Sequence, residues 1–313
     1  MRAFVFFAVL VLLTPLLVKN PYYLNVLAFI GLYAMVTVGL SLFIGYAGQI
    51  SLGHGAFYGL GAYISGIISA RYGVSPWVTI PLAIAFTTLI AWGLGLLILR
   101  LRGHYLVMAT LGINLVVYLL LVELEGLTGG VSGLPGIPPL CLGNYCFVTD
   151  RACYYLIWVV TLAVIFLALR LVATRPGREL KAIRSSEAAA KALGLNVTRY
   201  KVAVFALSAA LTALAGALYA HYLTFISPKT FDVFYSIEVV TMVLIGGMGS
   251  IWGAVLGAAF LTPLPQILGF FEEYKDIIYG FILMVILVFQ PEGLCGISKK
   301  WKFFKRQMPI ISR

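Results

Sequence analysis

The sequence predicts an all-α, polytopic membrane protein of about ten transmembrane or half-membrane helices, with glycine-broken segments among them. Three observations predict it. The 313 residues are 62% hydrophobic and 11% charged, where a soluble domain carries about 25% charged residues. Apolar runs follow one another along almost the whole chain, most of them near the roughly 20 residues a bilayer crossing needs. The basic residues behind the net charge of +11 sit in short segments between those runs. Orientation determinants are placed in that way, which argues against nucleic acid as the reason for the charge. No polar stretch is long enough to bury a core of its own, so one membrane domain over residues 1–313 is expected.

The runs fall near residues 3–18, 24–45, 52–70, 76–99, 105–122, 152–173, 202–222, 239–247, 251–268 and 277–290. The first, behind Arg2, has the outline of a signal peptide. No small-x-small cleavage site follows it, so an uncleaved first span is expected. Residues 20–70 then run without one Asp, Glu, Lys or Arg. That is too long for one crossing and reads as two spans joined by an uncharged glycine break. Residues 174–201 hold seven cations against Glu179 and Glu187, and residues 291–313 form a basic tail. The excess of Lys and Arg places both in the cytoplasm. Counting spans back from residue 174 puts Arg2, Arg100 and Arg102 inside, and Lys19, Arg71, Glu123, Glu125 and Asp150 outside. Segment 123–151, rich in Gly and Pro, becomes the longest extracellular connection. A hairpin descending to about Met248 and returning through 251–268 keeps the tail inside, its short descending arm a half-helix. Both termini are then cytoplasmic, in a multi-pass protein of the cell membrane.

Two breaks share a pattern: G-Y-A-G-Q-I from Gly45 to Ile50 and G-G-M-G-S-I from Gly246 to Ile251. Each follows a descending arm and precedes an ascending one, as parallel repeats do. Non-helical backbone survives in lipid only where protein covers it or a water-filled cavity solvates it. Gly45, Gly48, Gln49, Ser51, Gly53 and His54, with Gly246, Gly247 and Gly249, are therefore candidates for a substrate path. The competing reading of the glycines is close helix packing. Gln49 and His54 are polar in an apolar stretch, and such groups usually face a cavity or a partner; His54 is equally readable as a satisfied interfacial histidine. Glu238 enters the second hairpin and either receives a substrate ammonium or snorkels to water. His221 reads as an interfacial group.

In residues 174–201, Pro176 suits a helix start and Gly194 a C-terminal cap. One helix is expected between them, with Leu180, Ile183, Ala190 and Leu193 near one face. Glu187 stands four residues before Lys191, the favourable order for an ion pair. The helix reads either as amphipathic, lying on anionic headgroups, or as a docking helix whose alanines let a partner approach.

E-A-A-A-K-A-L-G from Glu187 to Gly194 resembles the E-A-A loop of ABC importer permeases. The run from Arg175 to Lys201, A-G-A-L-Y-A-H-Y after it, R-G-H-Y-L from Arg102 and L-T-G-G-V-S-G-L-P-G-I from Leu127 resemble the branched-chain amino-acid permeases, M-type (LivM-like) subunit. Both glycine breaks resemble the same subunit, so the likeness covers most of residues 40–268. Four residues separate E-A-A from Gly194, where the general motif has three. The resemblance implies a membrane subunit working by ATP-driven alternating access, carrying branched-chain or other hydrophobic amino acids. It implies four kinds of partner contact: a homologous second permease, two cytoplasmic ATPases, an extracytoplasmic binding protein and the bilayer. Arg184, Glu187, Ala188, Ala189 and Gly194 would then meet the ATPase groove.

The sequence holds no G-x-x-x-x-G-K-[ST]. ATP would thus be used by partner subunits, with no cofactor in this chain and no enzymatic activity. The cysteines carry no metal-ligand spacing; Cys141 and Cys146 either close a small disulfide loop or stay free. N-V-T at Asn196 matches a glycosylation acceptor, but its cytoplasmic placement makes the match a false one. A urea or short-chain amide permease is the nearest alternative. A stand-alone passive channel for a neutral solute is the alternative from a different class.

Overall fold

The computed structural model describes residues 2–18, 20–142 and 145–267, together with positions 280, 281 and 284. Apart from those three positions, the span expected at 277–290 lies outside the described residues, as do the basic tail and Lys19. The described residues are helical almost throughout: α1 (Arg2–Leu17), α2 (Pro21–Ser41), α3 (His54–Tyr72), α4 (Pro76–Ile98), α5 (His104–Glu123), a short α6 (Glu125–Thr128) and α7 (Asp150–Ala173). They continue as α8 (Arg175–Ser185), α9 (Glu187–Ala192), α10 (Val197–Leu223), α11 (Val233–Gly246), α12 (Ile251–Leu261) and α13 (Leu264–Ile267). Five are long and apolar enough to cross a membrane: α2 with its extension to Tyr46, α4, α5, α7 and α10. α3, rich in Gly, Ser and Tyr, falls short of that measure; it is packed by protein instead.

Small residues set the centre of the bundle. A Cβ at Gly216 of α10 would strike the Tyr58 carbonyl of α3, and one at Gly61 of α3 would strike the backbone of Ala213. The two backbones therefore touch, as membrane helices do where Gly and Ala line the contact. α2 closes the other side of α10, where Phe43 packs against Phe205. α4 and α5 lie outermost, and most of their large apolar side chains are exposed. α1 is fastened to α7 by the Tyr154 hydroxyl on the Val11 carbonyl at 2.8 Å and by Phe7 against Trp158.

α2 ends in one π-turn, Leu42–Tyr46, and residues 48–53 lead on to α3 without forming a helix. Protein groups supply the partners of this segment. Leu52 N–H donates to Thr110 Oγ1 at 3.0 Å, Gly53 N–H to Ser51 Oγ at 3.2 Å, and Gln49 N–H to the Phe43 carbonyl at 3.3 Å. Much of this uncharged, non-helical stretch is thereby bonded within the protein, while Gly48 and Ile50 are exposed.

The second hairpin departs from the sequence expectation at both ends. α11 starts at Val233, six residues before the expected arm, because Asp232 caps it through Tyr235 N–H at 3.1 Å. α12 stops at Leu261 instead of reaching 268, since Pro263 and Pro265 cannot continue a helix ladder. The arms lie backbone to backbone: a Cβ at Gly257 would strike the Met242 carbonyl, and one at Gly246 the Gly253 carbonyl.

The connection after α5 is structured. Strands β1 (Leu134–Pro135) and β4 (Phe225–Ile226) pair antiparallel, and β2 (Cys141–Leu142) pairs with β3 (Tyr145–Cys146). Cys141 and Cys146 are joined by a disulfide, which settles the alternative left open by their spacing, and Cys153 is a buried free thiol. Leu134, Ile137 and Leu140 are buried, so this connection closes one end of the bundle.

Candidate coupling site and substrate path

At the other end, loop 174–201 folds back under α2. The single helix expected from Pro176 to Gly194 is two. Ser186 adopts extended backbone (φ −162°, ψ 111°), and its hydroxyl accepts from Ala189 N–H at 3.2 Å. A serine with a free preceding turn is a strong N-cap, and here it ends α8 and begins α9. Leu180, Ile183 and Ala190 are buried as expected, but Leu193 is 80% exposed. α9 has already ended at Ala192, and Gly194 (φ +82°) turns the chain away. Leu195 N–H returns to the Ala190 carbonyl at 3.1 Å, the closing bond of a glycine helix stop.

Glu187 does not pair with Lys191. It forms an ion pair with Lys201 at the start of α10, whose side chain is 4% exposed. A buried ammonium demands a counter-charge far more than a solvated one does, so Lys201 takes the carboxylate. The same carboxylate accepts from Gln49 Nε2 at 3.4 Å. Arg184 is exposed, and its guanidinium donates to the Gly45 carbonyl. Nearby, Glu179 accepts from Arg175 Nε at 3.0 Å; the Tyr200 hydroxyl first, and Arg175 behind it, hold its carboxyl below the ordinary value. Ala188 and Ala189 are exposed and leave a flat surface beside these anchored residues.

The candidate path residues divide. Gly48, Gln49 and Glu187 line a cavity of about 200 Å³ with Ile50, Arg102 and His104. Ser51, Gly53 and His54 are buried within the chain. His54 Nε2 meets Ser208 Oγ of α10 at 2.7 Å, while its Nδ1 has no partner. Gly246 and Gly247 are buried in the second hairpin, and Gly249 faces Arg184 and Gly45. Glu238 of α11 is partly buried, with the Tyr33 hydroxyl donating to it at 3.4 Å. His221 is buried and bonded, at 2.7 Å to Ser65 and at 2.8 Å to the Pro138 carbonyl; it is a structural tie more than an interfacial side chain.

Sequence reasoning missed a polar seam beside His54. Gly55 N–H donates to Ser236 Oγ at 2.8 Å, and Asn114 Nδ2 reaches Ser236 Oγ and the Asp232 carbonyl, each at 3.2 Å. Lys201 was missed as well. The signal for Asn114 was present, since an amide side chain inside an apolar run asks for a partner; Lys201 stood at the edge of the cation-rich segment, where a charge draws no notice. Only the fold names each partner.

The family model described as branched-chain amino acid transport system / permease component matches residues 22–287. The chain belongs to that family. It is 32% identical to the high-affinity branched-chain amino acid transport system permease protein LivM of Salmonella typhimurium LT2 and 30% identical to that of Escherichia coli K12. Each match covers 71% of this chain and 58% of the relative, so the chain spans under two thirds of the relatives' length. The autoinducer 2 import system permease protein LsrC of Escherichia coli O9:H4 is 31% identical over 45% of this chain and 44% of its own. No solved structure matches the chain. Permeases of this family are polytopic membrane proteins, and both glycine breaks and loop 174–201 lie within the matched residues.

Proposed function

We propose that this chain is a transmembrane subunit of an ABC importer that moves branched-chain or similar hydrophobic amino acids by alternating access. One observation carries the reading: loop 174–201, which resembles the ATPase-docking loop of importer permeases, is bonded directly to the break after α2 through Arg184–Gly45 and Glu187–Gln49. A push on the loop would therefore reach non-helical backbone inside the bundle without passing through a flexible linker. The exposed Ala188 and Ala189 would meet the ATPase, and Gly194 would let α9 turn back on itself.

ATP is bound and hydrolysed by two partner ATPases, and this chain contributes no ATPase site of its own. A second permease and an extracytoplasmic binding protein complete the assembly. The end carrying Arg184 faces the cytoplasm: Arg102 shares its cavity with Glu187, so the cation-rich connections gather there, as the positive-inside rule requires. Both termini follow to that side. The path runs along Gly48 and Gln49 and past Glu238, whose carboxylate suits a substrate ammonium.

The test is uptake into proteoliposomes holding this chain with its partner permease and ATPases. ATP is supplied on the ATPase side, with the binding protein and labelled leucine or urea on the other. ATP-dependent leucine accumulation that vanishes without this chain supports the reading. Urea accumulation would move the substrate to the amide class, and ATP-independent equilibration would make the chain a passive channel.

A further inference from the structure

Three side chains of loop 174–201, spaced three residues apart, engage three residues at the break after α2. Lys181 Nζ lies over the Tyr46 ring at 5.4 Å, Arg184 donates to the Gly45 carbonyl, and Glu187 accepts from Gln49. The π-turn that ends α2 carries the Gly45 carbonyl, and a turn wound this way has carbonyls free for an outside donor. The middle side chain also touches the other break. A Cβ at Gly249 would lie 2.8 Å from Arg184 Nη1, and one at Gly48 would lie 3.0 Å from Arg184 Cγ.

The two breaks meet each other at the same point. A Cβ at Gly45 would stand 2.5 Å from the Gly249 nitrogen, and one at Gly249 would stand 3.3 Å from the Gly45 carbonyl oxygen. Gly249 has φ +86° and Gly48 has φ +70°, conformations that favour glycine. Two segments far apart in sequence, the end of α2 and the tip of the α11–α12 hairpin, are thus joined by bare backbone. One guanidinium lies across the junction.

We propose that Arg184 is a pin that holds the two glycine breaks together, so that withdrawing loop 174–201 parts them. Arg184 is then a positioning residue acting between the loop and the breaks, in addition to whatever the loop's outer face meets. Its guanidinium is suited to the task, since its charge is permanent and its donors are spread in a plane wide enough for two segments. The pin itself follows from contacts within this chain; its link to ATP rests on the importer reading above.

Ile50 and Met248 flank the two breaks and are 47% and 45% exposed, which makes them reporters that disturb little. In full-length chain in membranes, with Cys153 and Cys295 replaced by Ser, Ile50→Cys and Met248→Cys are joined with bifunctional thiol reagents of graded length. Arg184→Ala is expected to slow the shortest cross-link about tenfold, the scale of one lost charge-assisted hydrogen bond. Arg184→Lys is expected to fall between, because an ammonium reaches one segment and not both. Arg184→Gln keeps the stem on Gly48 and decides the matter should the alanine variant not accumulate. Parental cross-linking in either variant overturns the proposal. A second arm uses the assembled complex with trapped nucleotide, where the parental rate is expected to change and the Arg184→Ala rate to stay fixed. If Arg184 dependence holds while nucleotide changes nothing, the importer reading fails and the pin stands.

Discussion

Glu187 and Lys201 stand fourteen residues apart and form an ion pair at the foot of α10, with the loop's glycine stop between them. Lys201 is buried and Glu187 keeps 28% of its side-chain exposure. The pair thus fixes where α9 lies against the bundle, and it holds Glu187 within reach of Gln49.

Removing only the carboxylate leaves a buried ammonium uncompensated. Glu187→Ala is expected to cost about 3 kcal/mol, the low end for breaking a buried pair because Glu187 is partly solvated. Glu187→Gln combined with Lys201→Met should recover most of that loss. Thermal unfolding of the purified chain in detergent checks it, and equal losses in the single and double variants would discard the pair as the organising contact.

Gly194 has open space where a Cβ would go, so any effect of substituting it comes from its φ of +82° alone. Gly194→Val is expected to cost about 1–2 kcal/mol and to reduce substrate-stimulated ATP hydrolysis in the assembled complex. Gly194→Asn, which tolerates that conformation, should retain most of it. Full stimulation in the valine variant would remove Gly194 from coupling.

The α11–α12 hairpin allows a clean contrast between glycines. Gly257→Ala forces a methyl onto the Met242 carbonyl and is expected to destabilise by about 1–3 kcal/mol. Gly112→Ala on α5, with nothing within 4 Å, should be neutral or stabilising by up to about 1 kcal/mol. Comparing the two melting temperatures is enough; equal shifts would contradict backbone contact in the hairpin.

Glu238 and Tyr33 supply the last expectation. Glu238→Gln keeps the shape and the bond to the Tyr33 hydroxyl while removing the charge. Leucine uptake should fall about tenfold, near 1.4 kcal/mol of lost ammonium recognition. Uptake of 4-methylpentanoate, which lacks the amine, starts low and should not fall further. A uniform loss for both solutes would mark Glu238 as structural.

The spans were legible because the bilayer enforces length and excludes charge, so α2, α4, α5, α7 and α10 announce themselves in the runs of apolar residues. Hydrogen bonds formed across the fold were not legible. Glu238 reads as the edge of an apolar run, yet α11 begins five residues earlier, where Asp232 caps it and Ser236 bonds to Gly55. The break at Ser186 had a local signal, two serines before an acidic first turn, that a single helical pattern through Gly194 overrode. Arg184 was singled out from the pattern of loop 174–201. Its partner was invisible, because nothing in a linear pattern says that residue 184 lies beside Gly45 and Gly249.

The short pairing of Leu134 with Ile226 and of Pro135 with Phe225 has its own mechanical consequence. Ile137 N–H adds a bond to the Thr224 carbonyl at 3.1 Å, so the connection after α5 is stitched to the segment that leads directly into α11. α11 is thus tied at both ends: its head follows a segment paired with the connection after α5, and the hairpin tip at its foot lies against Gly45 with Arg184 beside it.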